Sequence, residues 1–340
     1  MPLSIAVPKQ EAEKAHKLLL SQHALDFTRS PARDSKYVYF PVTKRIAGFT
    51  LTNKKLQSNK PKPASLQEAL QHKLPAKLLP LIPRAFDIIG DIAIIEIPKE
   101  LKSKSKIIGK ALMFAHPHVK SVYAKAGKRK GAYRTRSLAF LAGAKRTITT
   151  HKESGCSFAL DVAKAYFSPR LMHERERIAS LARPNEKILA LFAGVGPFPI
   201  ILAKAQPSCE IKAIELNPVA AKYLKQNIEL NGMSSQIEPI EGDVSKILPR
   251  RFRRWADRII MSYPDAAYKF LPHAFAAAKP GAIIHFYCFA PEKTAFKDAE
   301  KIVKSAAKKA KRKIRVLAHR IVLPYAPHVV QVAIDFKLLD

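Results

Sequence analysis

Four short segments hold residues whose types and spacing could do chemistry. The first is Lys187-Ile-Leu-Ala-Leu-Phe-Ala-Gly-Val-Gly-Pro-Phe-Pro-Ile200, where Gly194 and Gly196 follow an apolar run. A strand over 188–192 that ends in a glycine loop and opens a helix makes a nucleotide-binding crevice. Glycine lets the backbone approach a ligand closely, and the helix start offers free N–H groups. Pro199 stands where the dinucleotide fingerprint G-x-G-x-x-G needs its third glycine. The second segment ends Ala213-Ile-Glu215 and continues Leu216-Asn217-Pro218. An acid at that strand tip can accept from both hydroxyls of a ribose, while Asn217 and Pro218 suit the cap and first turn of the next helix. The third ends Glu241-Gly-Asp243, placing Asp243 to accept from an exocyclic amine. The fourth is Met261-Ser262-Tyr263-Pro264. Singly, each acid could equally cap a helix or face solvent. In this order, each at a strand's end, they point to an adenosyl ligand. NAD competes, but the proline-containing loop and the fourth segment count against it.

The elements that must position these residues form an alternating series. From Glu174 onward the pattern reads helix, strand, helix, strand, with strands expected at 188–192, 210–215, 236–241, 258–261, 282–289, 314–322 and 329–336. Helical patterns separate the first six, which implies a parallel, doubly wound α/β sheet. The last two strands lack a helix between them and read as an antiparallel hairpin. That is the Rossmann-like outline of a class I S-adenosylmethionine-dependent methyltransferase.

Upstream, residues 1–55 read as a small α+β domain, with strands at 3–7 and 36–42 around a helix at 9–22. Residues 56–64 have the polar, proline-containing composition of a linker. A second α+β domain is expected over 65–155, ahead of a catalytic domain at 156–340. It opens with the capping-box pattern Ser65-Leu-Gln-Glu68. The stretch Phe86-Asp-Ile-Ile-Gly-Asp-Ile-Ala-Ile-Ile-Glu-Ile-Pro98 reads as a strand with a bulge or turn at Gly90, followed by a helix over 101–116. Trp255 reads as a core residue.

The 340 residues include 60 Lys+Arg against 27 Asp+Glu, a formal net charge of +33. So large an excess argues for a polyanionic partner, since each cation placed on a phosphate releases a counterion. Lys125–Arg136, with six basic residues in twelve, and Arg250–Arg254 are candidate contacts. The three cysteines lack paired spacing, which argues against a disulfide framework or zinc site and fits a reducing compartment. With no signal-peptide pattern and no membrane-length apolar run, a cytoplasmic protein is expected.

These residues resemble the archaeal–eukaryal tRNA (guanine-N1)-methyltransferases, which modify guanosine 37 beside the anticodon. The resemblance runs through Ile5-Ala-Val-Pro-Lys9, Tyr37-Val-Tyr-Phe-Pro-Val42, Tyr133-Arg-Thr-Arg136, Tyr166-Phe-Ser-Pro-Arg-Leu-Met-His-Glu-Arg175, Phe192-Ala-Gly-Val-Gly-Pro197, Glu215-Leu-Asn-Pro218 and Tyr325-Ala-Pro327. It implies tRNA as partner, S-adenosylmethionine as cofactor, no metal and a monomer. It implies Glu174 as the general base that removes the N1 proton and Arg134 as the cation on O6. Ser262 and Pro264 complete the catalytic set. Tyr166, Arg175, Phe192, Gly194, Gly196, Pro197, Glu215, Asp243 and Ser262 would bind the cofactor. Two positions depart from the family's pattern. Ala190 stands where it has an Asp, and Ser262-Tyr263-Pro264 replaces Asn-Leu-Pro. Two alternatives follow from those departures. One is a wyosine-pathway transferase acting on modified guanosine 37; the other is a tRNA-binding protein without cofactor.

Overall fold

The computed structural model describes residues 3–57, 63, 65–127, 133, 135 and 137–340. It divides into two compact units, Met1–Lys73 and Leu74–Asp340.

The first unit is built on a four-stranded sheet in the order β2-β3-β1-β4, comprising β1 (Leu3–Pro8), β2 (Ala32–Arg33), β3 (Tyr37–Val42) and β4 (Leu51–Thr52). Helix α1 (Ala12–Ser21) adds Ala15 and Leu19 to a small core with Ile5, Val7, Val38, Phe40 and Val42. The sequence reading starts the helix at Lys9, but residues 9–11 form a 3-10 turn, because Pro8 holds an extended backbone just before them. Part of the expected linker is packed: Leu56 is buried and the Gln57 carbonyl accepts from Ser30 N–H. Residues 58–62 and 64 lie outside the described residues. Helix α2 (Leu66–Leu70) starts as its capping pattern requires, with Ser65 Oγ accepting from Glu68 N–H at 3.1 Å.

The second unit begins with a four-stranded sheet, β5-β6-β7-β8, of β5 (Phe86–Ile89), β6 (Ile92–Ile95), β7 (Ser121–Lys125) and β8 (Leu138–Gly143). Gly90 makes the turn between β5 and β6, so the expected single strand is a hairpin. The expected helix over 101–116 is a 3-10 turn, Lys99–Lys104, followed by α3 (Ser105–Ala115). The hairpin of β9 (Ile148–Glu153) and β10 (Cys156–Asp161) then leads through α4 (Met172–Leu181) to the main sheet.

That sheet has seven strands in the order β13-β12-β11-β14-β15-β17-β16. In chain order they are β11 (Lys187–Leu191), β12 (Glu210–Glu215), β13 (Ile237–Glu241), β14 (Ala256–Met261), β15 (Ala278–Pro291), β16 (Ile314–Ala326) and β17 (Val329–Leu338). Helices α5 (Pro197–Ala205), α6 (Pro218–Leu230), α7 (Val244–Arg251), α8 (Leu271–Ala277) and α9 (Ala295–Lys309) make the crossovers. The first five strands pair parallel, and β17 inserts antiparallel between β15 and β16. This is the class I methyltransferase order expected from the helix–strand alternation.

Side chains of β11 alternate between two cores, one on each face. Ile188 and Ala190 join Phe158, Ile200, Leu224 and Tyr287, while Leu189 and Leu191 join Leu248, Ile259, Phe275 and Phe336. The first core continues into Ile89, Ile92, Ile94 and Tyr123, so the four-stranded and seven-stranded sheets of this unit share it. Strand order reverses at β11, which has β12 on one side and β14 on the other. The crevice at the C-terminal ends of those strands is where such sheets bind ligands.

Candidate active site

A cavity of about 250 Å3 occupies that crevice. Its walls come from the loop after β11 (Phe192, Gly194), the tip of β12 and its cap (Glu215, Leu216, Asn217), the start of α7 (Asp243, Val244) and the segment after β14 (Ser262, Tyr263). Tyr133, Tyr166, Lys269 and Phe270 also line it.

The glycine loop is shaped by backbone conformations that few residues adopt. Gly194 and Gly196 have φ of 59° and 93°, and Phe192 is held at φ 59° between them and β11. A bulky residue with positive φ is strained, and such strain persists where the surroundings over-determine it. Here Ala193 N–H donates to Ile214 O, and the Phe192 ring lies 5.1 Å from Tyr263 and 5.0 Å from Phe270. Gly196 and Pro197 do not line the cavity. Gly196 caps α5, where a Cβ would come within 2.7 Å of Leu224, and Pro197 forms the first turn.

Glu215 is gripped from the backbone. Its Oε2 accepts from Gly194 N–H at 2.7 Å and its Oε1 from Asn217 N–H at 2.8 Å. Burial pushes its pKa up, opposed by those N–H donors. Asn217 caps α6 by accepting from Val219 N–H, and its amide donates to Lys164 O. Asp243 caps α7, accepting from both N–H and Oγ–H of Ser245 at 2.8 and 2.7 Å. Thus the helix-cap role of Asp243 and its place on the cavity wall coexist. Aromatic and aliphatic walls with acceptors at two ends suit a purine nucleoside, whose faces the rings could take, with Glu215 able to accept from its diol and Asp243 from an amine. This donor-and-acceptor set fits S-adenosylmethionine without Ala190, whose side chain is buried in the core rather than at the cavity.

Tyr166 and Ser262 also line a much smaller cavity, with Leu171, Phe198, Pro264, Tyr287 and Gln331. Ser262 Oγ donates to Phe192 O at 3.2 Å, tying β14's tip to the glycine loop. Glu174 stands behind Tyr287 in the first turn of α4, only 2% exposed. Tyr287 Oη donates to its Oε1 at 2.7 Å. Arg177 donates Nε to Oε2 at 3.0 Å and Nη2 to Oε1 at 2.7 Å. Arg320, on edge strand β16, reaches within 3.6 Å of Oε2 from the solvent side. Burial, reinforced by the Glu174 charge, pushes the Tyr287 pKa well above its ordinary value, so its hydroxyl stays a donor.

Arg175 departs from its expected place on the cofactor. The next residue of a helix points about 100° away, and Arg175 is buried against Glu153, with Nη1 at 2.5 Å from both carboxylate oxygens. Its Nη2 donates to Ser168 O, and its guanidinium lies 4.8 Å from the Phe167 ring. This ion pair fastens α4 to β9. Arg134 lies outside the described residues. Tyr287, Arg177 and Gln331 are site residues that the sequence reading did not single out. Trp255, expected in the core, packs its ring on Phe252 and lies under the amines of Lys187 and Lys212.

Comparison with known proteins gives this geometry its relatives. The TRM5/TYW2 methyltransferase domain model matches residues 149–317, the tRNA methyltransferase 5 N-terminal domain model residues 4–50, and the TYW2 N-terminal domain model residues 66–147. The tRNA (guanine(37)-N(1))-methyltransferase Trm5b of Pyrococcus abyssi is 40% identical over 338 residues, 99% of both chains. The chain belongs to the TRM5/TYW2 methyltransferase family. Within that family, the complex of aTrm5 with tRNALeu superposes with a TM-score of 0.74 at 32% identity, covering all of both chains. TYW2 of Methanocaldococcus jannaschii, in complex with AdoMet, gives 0.58 at 30% identity, covering 75% of this chain and 99% of its own. Among the described residues, no His/Cys/Asp/Glu cluster could hold a metal, and no helix is long and apolar enough to cross a membrane.

Proposed function

We propose that this protein methylates N1 of guanosine 37 in tRNA, with S-adenosylmethionine as methyl donor. The observation that carries the reading is the buried Glu174 carboxylate, which accepts from Tyr287, a wall of the small cavity that shares Tyr166 and Ser262 with the nucleoside crevice. When bound, the cofactor would supply an activated methyl on a sulfonium centre whose neutral thioether is the leaving group.

Guanine N1 bears a proton in the stable keto form, so a base must take that proton as N1 bonds to the methyl carbon. Glu174 is that base: its carboxylate becomes the acid and the methylated base leaves neutral. Arg134 is assigned to O6, where negative charge builds. Glu215 and Asp243 hold the nucleoside, Phe192 and Gly194 line its slot, Gly196 and Pro197 shape the loop, and Tyr166, Ser262 and Pro264 form the wall between nucleoside and base. Arg175 supports α4 rather than the cofactor. Residues 1–55 and the basic surface contact the tRNA. Their support is the match to the tRNA methyltransferase 5 N-terminal domain over residues 4–50 and the +33 net charge. The protein acts as a cytoplasmic monomer.

Glu174→Gln should retain tRNA binding and slow single-turnover methyl transfer by about 10²–10⁴-fold, the range for a general base. An unchanged rate removes Glu174 from the role.

A further inference from the structure

A row of charged and polar side chains crosses the sheet behind Glu174. Arg177, one turn along α4, places its guanidinium between two carboxylates. Besides gripping Glu174, it donates Nη1 to Asp335 Oδ2 at 2.6 Å. Asp335 Oδ1 meets His285 Nδ1 at 2.6 Å across the β15–β17 pair. His285 Nε2 meets Arg258 Nη1 at 2.6 Å, and Arg258 donates to both oxygens of Glu186 at 2.6 and 2.9 Å. Asp335, His285 and Arg258 are 5%, 1% and 0% exposed.

The chemistry fixes the direction of each bond. A guanidinium only donates, so His285 Nε2 must accept. Its single ring proton is therefore on Nδ1 and is donated to Asp335. Burial favours this neutral imidazole, whose pKa is pushed down. Burial alone would raise the Asp335 pKa, but His285 and Arg177 outweigh it and hold the carboxyl well below its usual range. Asp335 is thus an ionised carboxylate with a set orientation, and it lines neither site cavity.

We propose that Asp335 and His285 are positioning residues for Glu174, acting through Arg177; this rests on Glu174 being the general base. Arg177 holds both oxygens of Glu174 side-on, and its charge is shared with a second carboxylate, Asp335. Asp335 shares the guanidinium, taking Nη1 at 2.6 Å and Nη2 at a longer 3.4 Å, while Nε and Nη2 grip Glu174 at 3.0 and 2.7 Å. His285 fixes the plane of the Asp335 carboxylate, and Arg258 with Glu186 fixes the imidazole tautomer. The α4 arginine is thereby anchored to the sheet, and it aims Glu174.

The test is a double-mutant cycle on the full-length protein with tRNA and S-adenosylmethionine, read by single-turnover methyl transfer. Asp335→Asn should lower the rate about 10- to 100-fold, the order expected when a reacting group is misplaced by about 1 Å. Dissociation constants for tRNA and S-adenosylmethionine should stay within about two-fold. In a Glu174→Gln background, Asp335→Asn should change the residual rate by less than about two-fold, since residues acting through one group are not additive. Arg177→Lys keeps the charge but loses the fork. It should reproduce the pattern and replaces Asp335→Asn if that variant does not fold. Wild-type rates in these variants overturn the proposal. So does a loss as large in the Glu174→Gln background as in the wild-type background, or one matched by lost tRNA affinity. A full rate for Glu174→Gln alone is a different result: it removes the general base, and the positioning role falls with it.

Discussion

Replacing Glu215 by Gln separates what this carboxylate does for a cofactor from what it does for the fold. Its oxygens accept backbone N–H groups from Gly194 and Asn217, with Leu216 N–H contributing as well, and the carboxylate lines the cavity. A carboxamide has one oxygen. Whichever way it turns, one backbone N–H meets an NH2 and one acceptor facing the ligand diol is gone. A hydrogen bond to a charged group contributes about 1.5–3 kcal/mol. Losing one should raise the S-adenosylmethionine Kd by about 10- to 150-fold. Stability should respond differently. Burial disfavours the Glu215 charge, so the glutamine relieves a desolvated anion while orphaning one N–H, and the two effects oppose each other. Calorimetric titration should therefore show the affinity loss while Tm moves by only a few degrees. The sign with pH is also set. Glu215 has a raised pKa, so binding to its ionised form is complete above that pKa and weakens as pH falls through it. Glu215→Gln should lack that step. An unchanged Kd in the variant would refute the assignment, as would wild-type affinity that stays flat below the ordinary carboxylate pKa.

Gly90→Ala should destabilise the second unit by about 2 kcal/mol or more, because its Cβ would lie 2.5 Å from the Thr150 carbonyl at a φ of 57°. Chemical denaturation checks this; a loss under about 0.5 kcal/mol contradicts it. Asp335 has a depressed pKa, so its contribution to stability is present above the ordinary carboxylate pKa and is lost as pH falls through the folded value. Acid denaturation should therefore be shallower in Asp335→Asn than in wild type, and identical acid limbs would contradict the reasoning. Affinity for tRNA should fall steeply and log-linearly with salt, given the net charge of +33. A flat salt dependence in filter binding would count against phosphate contacts.

Residues at strand tips were legible in the sequence because local chemistry marks them. Gly194 and Gly196 need their positive φ, Asn217 and Asp243 cap helices, and Glu215 ends a strand whose buried residues are apolar. All of these lie on or beside one crevice because parallel strands end on the same side. The support behind Glu174 was not legible by the same means. Tyr287 is 113 residues from Glu174, and Asp335 is 158 from Arg177, so only the sheet order brings them together. A signal was present, though. His285 and Asp335 are polar residues inside otherwise apolar strands, and buried polar groups require partners. Arg175 shows the converse error. The family resemblance places it on the cofactor, but helical geometry turns it toward Glu153.

The most direct test of the central claim is methyl incorporation from S-adenosylmethionine into tRNA carrying G or A at position 37, with the product nucleoside identified by mass spectrometry. Incorporation into the G37 transcript alone, recovered as N1-methylguanosine, is the predicted result. Equal incorporation into both transcripts, or an aminocarboxypropyl increment in place of methyl, would contradict it.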